Sequence, residues 1–440
     1  MKEKLKKWYQ EQEFATLPDI KLTFAHARVG LRWMVLSVII GLAVGAFSSV
    51  FAWCLQTVTA YRQANPWLLY LLPVGGLIIV ALYRACGAVS DKGTNVLLHA
   101  VQENYCNVPA LMAPLIFAAT LITHLFGGSA GREGAALQMG GSLGNSIGRL
   151  FRQKKYNRKI LVMSGMSAAF SAVFGTPLAA AVFPMEMVNI GIMQYSALVP
   201  CVFASIVANQ FAVNMGINPE AFVVRNIPPV APLTLLKILL LGLLCAWVSI
   251  FFCRALRTVG SLYALLLKNP YLKAVAGGLM IIGLTLLVGN NYYNGAGTGL
   301  IEMAIEGDVP AFSFLLKVLF TALTLGAGYK GGEIVPAFCT GATFGCVFGH
   351  LMGISPSLCA AAGMIAVFCG VTNCPVTSML IGFELFGFAG VKYLLLAISI
   401  SYLFSGYRGL YSDQVIMQSK YHVKYIHDFD NDSSEGPDAG

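Results

Sequence analysis

Three glycine-rich segments hold the residues whose types and spacing could do chemistry. They are Gly93-Thr94-Asn95-Val96-Leu97-Leu98, preceded by Lys92; Gly127-Gly128-Ser129-Ala130-Gly131-Arg132-Glu133-Gly134-Ala135; and Gly326-Ala327-Gly328-Tyr329-Lys330-Gly331-Gly332-Glu333-Ile334-Val335-Pro336. Each ends where a new apolar helical stretch begins. A helix N-terminus presents unpaired N–H groups and about half a positive charge. Several such ends aimed at one point bind an anion without a fixed cation. Glycine lets the backbone come close, whereas a lysine or arginine in direct contact would hold an anion too long for fast passage. The candidate anion contacts are therefore Gly134 and Ala135 at the end of the second segment and Ile334 and Val335 at the end of the third, with Arg132 and Asn95 beside the site. Glu133 and Glu333 stand at the same helix starts. A lone carboxylate there is either satisfied by the N–H groups or protonated. The plainer roles are an ion pair with Arg132 for Glu133 and a helix-capping carboxylate for Glu333.

Gly127-Gly128-Ser129-Ala130-Gly131 also fits the Gly-x-Ser-x-Gly nucleophile elbow, with His124 five residues before Ser129. An intramembrane serine hydrolase would need the strand–turn–helix context of that elbow, and the sequence offers none. The expectation is no enzyme. His26, His99 and His422 are scattered, and the 11 cysteines lie mostly in apolar runs, such as Cys54, Cys201, Cys245 and Cys346, without metal or disulfide spacing. No cofactor is expected.

The elements that must position these residues belong in a membrane. The chain has 440 residues, 57% apolar and only 11% charged, against about 25% charged in a soluble domain. Val35 to Thr57 is uncharged over more than the ~20 residues of a spanning helix. Ile238 to Cys253 and Ala274 to Asn290 are also uncharged, and the 46 glycines suit helices that pack closely or stop midway. The net charge of +9 is no nucleic-acid signal, because the cations gather at the edges of apolar segments, Lys2 to Lys7 and Arg152 to Lys159. Both clusters are expected in the cytoplasm, and the basic N-terminus reads as a membrane-surface helix.

An internal repeat organises the chain. Gly131, Ala135, Gly140, Gly144 and Gly148 align with Gly332, Pro336, Gly341, Gly345 and Gly349 at a constant offset (336 − 135 = 349 − 148 = 201). Gly165, Met166, Ala168, Phe170, Pro177 and Glu186 align with Gly363, Met364, Ala366, Phe368, Pro375 and Glu384 (384 − 186 = 198). The loop after the first copy, Arg152 to Lys159, is basic; its counterpart, His350 to Leu358, has no lysine or arginine. The halves should then insert oppositely, with broken helices of both meeting at a mid-membrane site. The expected fold is all-α and polytopic, two inverted-topology repeats of broken and tilted helices. Its parts are a cytoplasmic segment 1–30, a first membrane repeat 31–213, a linker 214–232 with four prolines, a second repeat 233–415 and a polar tail 416–440.

These motifs resemble the CLC chloride channel and transporter family over about residues 30 to 415. Gly131-Arg132-Glu133-Gly134-Ala135 resembles the family's Gly-Arg-Glu-Gly-Pro, Gly93 to Leu97 stands where the family has Gly-Ser-Gly-Ile-Pro, Gly331 to Pro336 matches Gly-x-Phe-x-Pro, and Leu410-Tyr411-Ser412 matches the motif of an anion-contacting tyrosine. Pro177 to Glu186 matches a fifth segment, and all five stand in family order. The resemblance implies a CLC-like fold, a homodimer with one pore per subunit, Glu133 as gating glutamate, and Thr94 and Tyr411 as hydroxyl donors to a central anion. An N-cap role for Thr94 and a membrane-interface role for Tyr411 are the alternatives.

The departures from the family pattern bear on the ion. Ala135 replaces a proline, Asn95-Val96-Leu97 replaces Gly-Ile-Pro, and Met187 stands at the inner proton-transfer glutamate of chloride exchangers. Lys330-Gly331-Gly332-Glu333 resembles the fluoride/proton branch, which implies a place beside the anion path and a proton-coupling role for Glu333 as for Glu133, yet Thr94, Val335 and Cys339 replace other marks of that branch. The implied function is halide transport, chloride first, in exchange for protons; a fluoride/proton antiporter and a passive voltage-gated chloride channel are the alternatives. The partners expected are chloride or fluoride, protons, lipid and a second copy of the chain, but no nucleic acid, in a prokaryotic inner membrane.

Overall fold

A computed structural model describes residues 20–88, 93–102 and 108–421, with the backbone alone for 20–26. The basic N-terminal stretch, Lys92, His422 and the end of the tail lie outside these residues. Among those described, sixteen α-helices form two sets of eight. The first set is α1 (Ile20–Ala64), α2 (Leu72–Ala85), α3 (Asn95–Gln102), α4 (Met112–Leu125), α5 (Glu133–Leu150), α6 (Lys155–Phe174), α7 (Pro177–Glu186) and α8 (Leu198–Asn214). The second is α9 (Pro232–Leu266), α10 (Pro270–Val288), α11 (Thr298–Glu306), α12 (Ser313–Gly326), α13 (Ile334–Met352), α14 (Pro356–Thr372), α15 (Pro375–Phe386) and α16 (Val391–Phe404). Segment 215–231, which lies between the sets, falls within the stretch 214–232 expected as a linker. The boundary drawn at residue 30 needs correction: α1 runs through it without a break, because nothing between Ile20 and Ala64 stops a helix until Asn65 and Pro66. The boundary at 415/416 likewise falls inside a strand, Val415–Ile416.

Local sequence explains most of the helix ends. Proline opens α7, α9, α10, α14 and α15, where its missing N–H costs nothing and its φ is already helical. Left-handed residues close α6 and α14 at repeat-equivalent positions, Gly175 (φ +76°) and Asn373 (φ +59°), with 373 − 175 = 198. Six helical stretches among the described residues are long and apolar enough to cross a bilayer, including Ala27–Ala64 and Pro232–Leu266. Others are too short: α3, with eight residues, extends only ~12 Å of a ~30 Å hydrocarbon layer.

The repeated glycines are crossing points. A Cβ at Gly140 would lie 2.2 Å from the Gly165 carbonyl oxygen, and one at Gly144 would lie 2.2 Å from that of Leu161. In the second half a Cβ at Gly341 would lie 2.3 Å from the Gly363 oxygen, and one at Gly345 2.0 Å from the Cys359 oxygen. Helices α5 and α6, and likewise α13 and α14, therefore touch backbone to backbone. Lipid tails are as apolar as leucine, so such close contact is the main source of helix association in a membrane.

Two further features join the halves about a local two-fold axis. Gly131 and Gly332 form an antiparallel bridge, each N–H donating to the other's carbonyl at 2.7 Å. The Gly131 and Gly332 strands are equivalent in the repeat (332 − 131 = 201), and a reciprocal bridge between equivalents requires a two-fold axis through it. Glu186 and Glu384 repeat the symmetry. Glu186 accepts from the N–H groups of Val376 (2.9 Å) and Thr377 (2.8 Å) at the start of α15, and Glu384 accepts from those of Leu178 (2.8 Å) and Ala179 (2.9 Å) at the start of α7. Each half thus caps a helix of the other reciprocally. Glu186→Gln should cost about 1.5–3 kcal/mol through lost charge-assisted bonds, and Glu384→Gln about as much. Denaturation of the detergent-solubilised variants checks this, and unchanged stability in both would rule the clamp out.

Candidate anion site

The Gly131–Gly332 bridge brings the starts of α5 and α13 together inside the bilayer. Glu133 is the first residue of α5, with Arg132 before it as N-cap; Glu333 is the N-cap of α13. Only glycines permit this approach: a Cβ at Gly134 would lie 2.8 Å from Gly332 Cα and 3.5 Å from Glu333 Oε2, and a Cβ at Gly131 would lie 3.1 Å from Glu133 Oε2. Both carboxylates therefore flank one bridge. The first-turn amides of each helix, at Gly134 and Ala135 and at Ile334 and Val335, have no helical acceptor, and these residues are buried.

The third and fourth expected ligands come to the same region on other elements. Thr94 precedes α3 and is buried; Gln138 of α5 donates to its hydroxyl at 3.3 Å. Asn95 donates to the Ser412 hydroxyl at 3.1 Å, which ties the start of α3 to the segment that carries Tyr411. That segment is held from several sides. Gln102 donates to the carbonyls of Val188 (3.0 Å) and Asp413 (2.8 Å), and Gln414 to those of Met187 and Thr372, both at 2.9 Å. Strand β1 (Asn189–Ile190) pairs in parallel with β2 (Val415–Ile416). The Tyr411 hydroxyl is buried with no protein partner, although Glu333 is close enough to act on it electrostatically. Leu410 and Glu333 line one cavity of about 310 Å³, together with Arg257 and Lys273. Thr94, Glu133, Glu333 and Tyr411 are thus linked in one region.

Residues 75–406, more than half of the chain, match the family described as voltage gated chloride channel. The chain belongs to that family. A chloride/fluoride channel protein of Pseudomonas syringae pv. tomato is 34% identical over 397 residues, which cover 89% of this chain and 88% of that one. An H(+)/Cl(-) exchange transporter of Vibrio cholerae serotype O1 is 29% identical over 298 residues, 62% of this chain and 64% of the relative. A solved CLC-type fluoride/proton antiporter superposes with a TM-score of 0.84 at 31% identity, covering 91% of this chain and all of that one. The all-α, polytopic, inverted-repeat architecture is that of this voltage-gated chloride channel family.

Within the family frame, several residues join the site that sequence reasoning did not name. Glu133 accepts from the Arg132 backbone N–H at 3.0 Å and from Arg132 Nε at 3.3 Å, so the ion pair with Arg132 is present. The same guanidinium bonds Glu220 of the linker. Nothing in the sequence connects position 220 to position 132. Lys317, fully buried in α12, donates to Ser129 Oγ (3.0 Å) and to the carbonyls of Tyr293 (3.1 Å) and Gly295 (2.8 Å). A single cation inside an otherwise apolar run was its visible signal, since such a charge is costly in a membrane unless it has work to do. Ser129 is bonded to Lys317 and Thr321 and His124 to the Thr120 carbonyl, so these two form no nucleophile–base pair. Met187 is fully buried at the end of α7.

Proposed function

We propose that this protein moves halide anions across a membrane in exchange for protons, with Glu133 as gate and proton carrier. The carrying observation is the Gly131–Gly332 bridge, which sets two helix N-termini and two carboxylates about one axis. The anion sits between the first-turn amides of α5 and α13 and the hydroxyls of Thr94 and Tyr411. Ionised, the Glu133 carboxylate competes with the anion for those amides; protonated, it leaves them. The buried, unpartnered Tyr411 hydroxyl supports this reading, because a donor in that position without a partner costs about 1–3 kcal/mol. Arg152 to Lys159 face the cytoplasm by the positive-inside rule, so Thr94 and Tyr411 guard the inner entrance and Arg132 the outer one. The protein works as a homodimer, as the family resemblance implies, and its place is a prokaryotic inner membrane.

For the ion, chloride is the first reading, since the Thr94 hydroxyl suits a large, weakly hydrated anion. Fluoride is the second, favoured by Glu333 beside the α5 start and by the likeness to a chloride/fluoride channel protein and a fluoride/proton antiporter, at 34% and 31% identity. Purified protein in liposomes, given chloride and fluoride gradients separately while internal pH is recorded, tests both. Uphill proton movement driven by either anion is expected. Anion flux without proton flux at every pH would leave a passive channel, and no anion flux would end the proposal.

A further inference from the structure

A cavity of about 510 Å³ opens on the Arg132 side of the gate, opposite the Tyr411 side. Two arginines, Arg62 and Arg132, and one histidine, His124, line it, and no aspartate or glutamate does. Arg132 has two carboxylate partners, but Arg62 has none among the described residues, and its buried Nε makes no hydrogen bond. An arginine at the end of a membrane-spanning helix reaches toward water, and the half-buried Arg62 holds its guanidinium in this cavity, where a mobile anion can meet it. His124, 4% exposed, lies in the same wall. Its Nδ1 bonds the Thr120 carbonyl at 2.9 Å.

The opposite wall is the start of α11, and its sequence is a third repeat element. Gly297-Thr298 at the start of α11 corresponds to Gly93-Thr94 just before α3, at an offset of 204 (298 − 94). The two-fold axis that sets Thr94 on one side of the gate therefore sets Thr298 on the other, where it lines the cavity. Glycines again admit close neighbours. A Cβ at Gly295 (φ +69°) would lie 3.1 Å from an Arg62 terminal nitrogen, and a Cβ at Gly297 (φ +93°) would lie 3.1 Å from Lys317 Nζ. Arg62 thus stands beside the loop that leads into the α11 N-terminus, with the Lys317 ammonium behind it.

We infer that this cavity is an outer anion-capture site for a small inorganic monoanion, held by Arg62, the Thr298 hydroxyl and the first amides of α11, one step before the Glu133 gate. The inference rests on the halide-transport reading for its purpose, but the site can be tested without transport. Crystals grown in sodium bromide would be examined by anomalous scattering. The wild-type protein should show a bromide peak between Arg62 and Thr298, and Arg62→Gln should lose that peak while keeping one near Tyr411. Thr298→Val, which conserves shape, should weaken the outer peak if the arginine variant does not fold. In liposomes, Arg62→Gln should raise the half-saturating chloride concentration on the outer side about tenfold and leave the inner one and the maximal rate unchanged. A wild-type crystal without the outer peak, or a peak indifferent to both substitutions, overturns the site. An outer peak in a protein that carries no anion flux would keep the site and remove the transport reading instead.

Discussion

Liposomes containing Glu133→Gln should pass anions while internal pH stays flat. Glutamine keeps the size and the hydrogen-bonding oxygen of the side chain but can neither carry a charge into the anion path nor take up a proton. In the wild-type geometry the Glu133 carboxylate rests on the Arg132 N–H and guanidinium beside the bridge. Only an ionised side chain competes with an anion for the same donors, so neutralising it favours the state in which the path is open. Proton flux coupled to anion flux should fall by about a hundredfold or more, the scale of losing a positioned acid–base group, while anion flux persists. The measurement is simultaneous recording by an anion electrode and a pH electrode. Retained coupling in Glu133→Gln would move the proton-carrying role elsewhere, with Glu333 as the next group to substitute. Loss of both fluxes would instead point to a structural role for the ion pair with Arg132.

The parts of this arrangement that were readable in the sequence are those fixed by the local chain. Glycine at a crossing point, proline at a helix start and a carboxylate one residue into a helix each leave a mark where they act. Hence the glycine register and the starts of α5 and α13 could be anticipated, whereas a place for Thr94 and Tyr411 beside them was expected only from the family resemblance. Pairings between distant segments leave no such mark. Glu220 reaches Arg132 from the linker, Gln138 reaches Thr94 across the site, and Lys317 joins the loops before α5 and α11. The Gly93–Thr94 and Gly297–Thr298 correspondence was in the sequence, but only two residues long at an offset of its own, and it gains meaning from the two-fold axis. The boundary at residue 30 was drawn from charge. Charge marks where a helix leaves the hydrocarbon, not where it ends, and α1 continues past both Arg28 and Arg32.

The glycine spine makes the most severe structural prediction. Gly345→Ala adds one methyl group, yet its Cβ would fall 2.0 Å from the Cys359 carbonyl oxygen and 2.7 Å from the carbonyl carbon. Both obstacles are backbone, so no side chain can turn aside, and α13 and α14 must part. Overpacking of this kind costs about 1–3 kcal/mol or more, and the upper end is expected because backbone contact is what holds two membrane helices together. Gly382→Ala in α15 is the matched control: its nearest neighbour would be 3.7 Å away, and alanine there gains up to about 1 kcal/mol of helix propensity. Thermal unfolding of the two purified variants in one detergent should therefore move in opposite directions. Separation of α13 from α14 would also shift the α13 N-terminus, so any Gly345→Ala protein that survives should bind bromide more weakly near Tyr411. Equal stability of the two variants would mean that the helices do not cross at Gly345, and the account of the repeated glycines would fall with it.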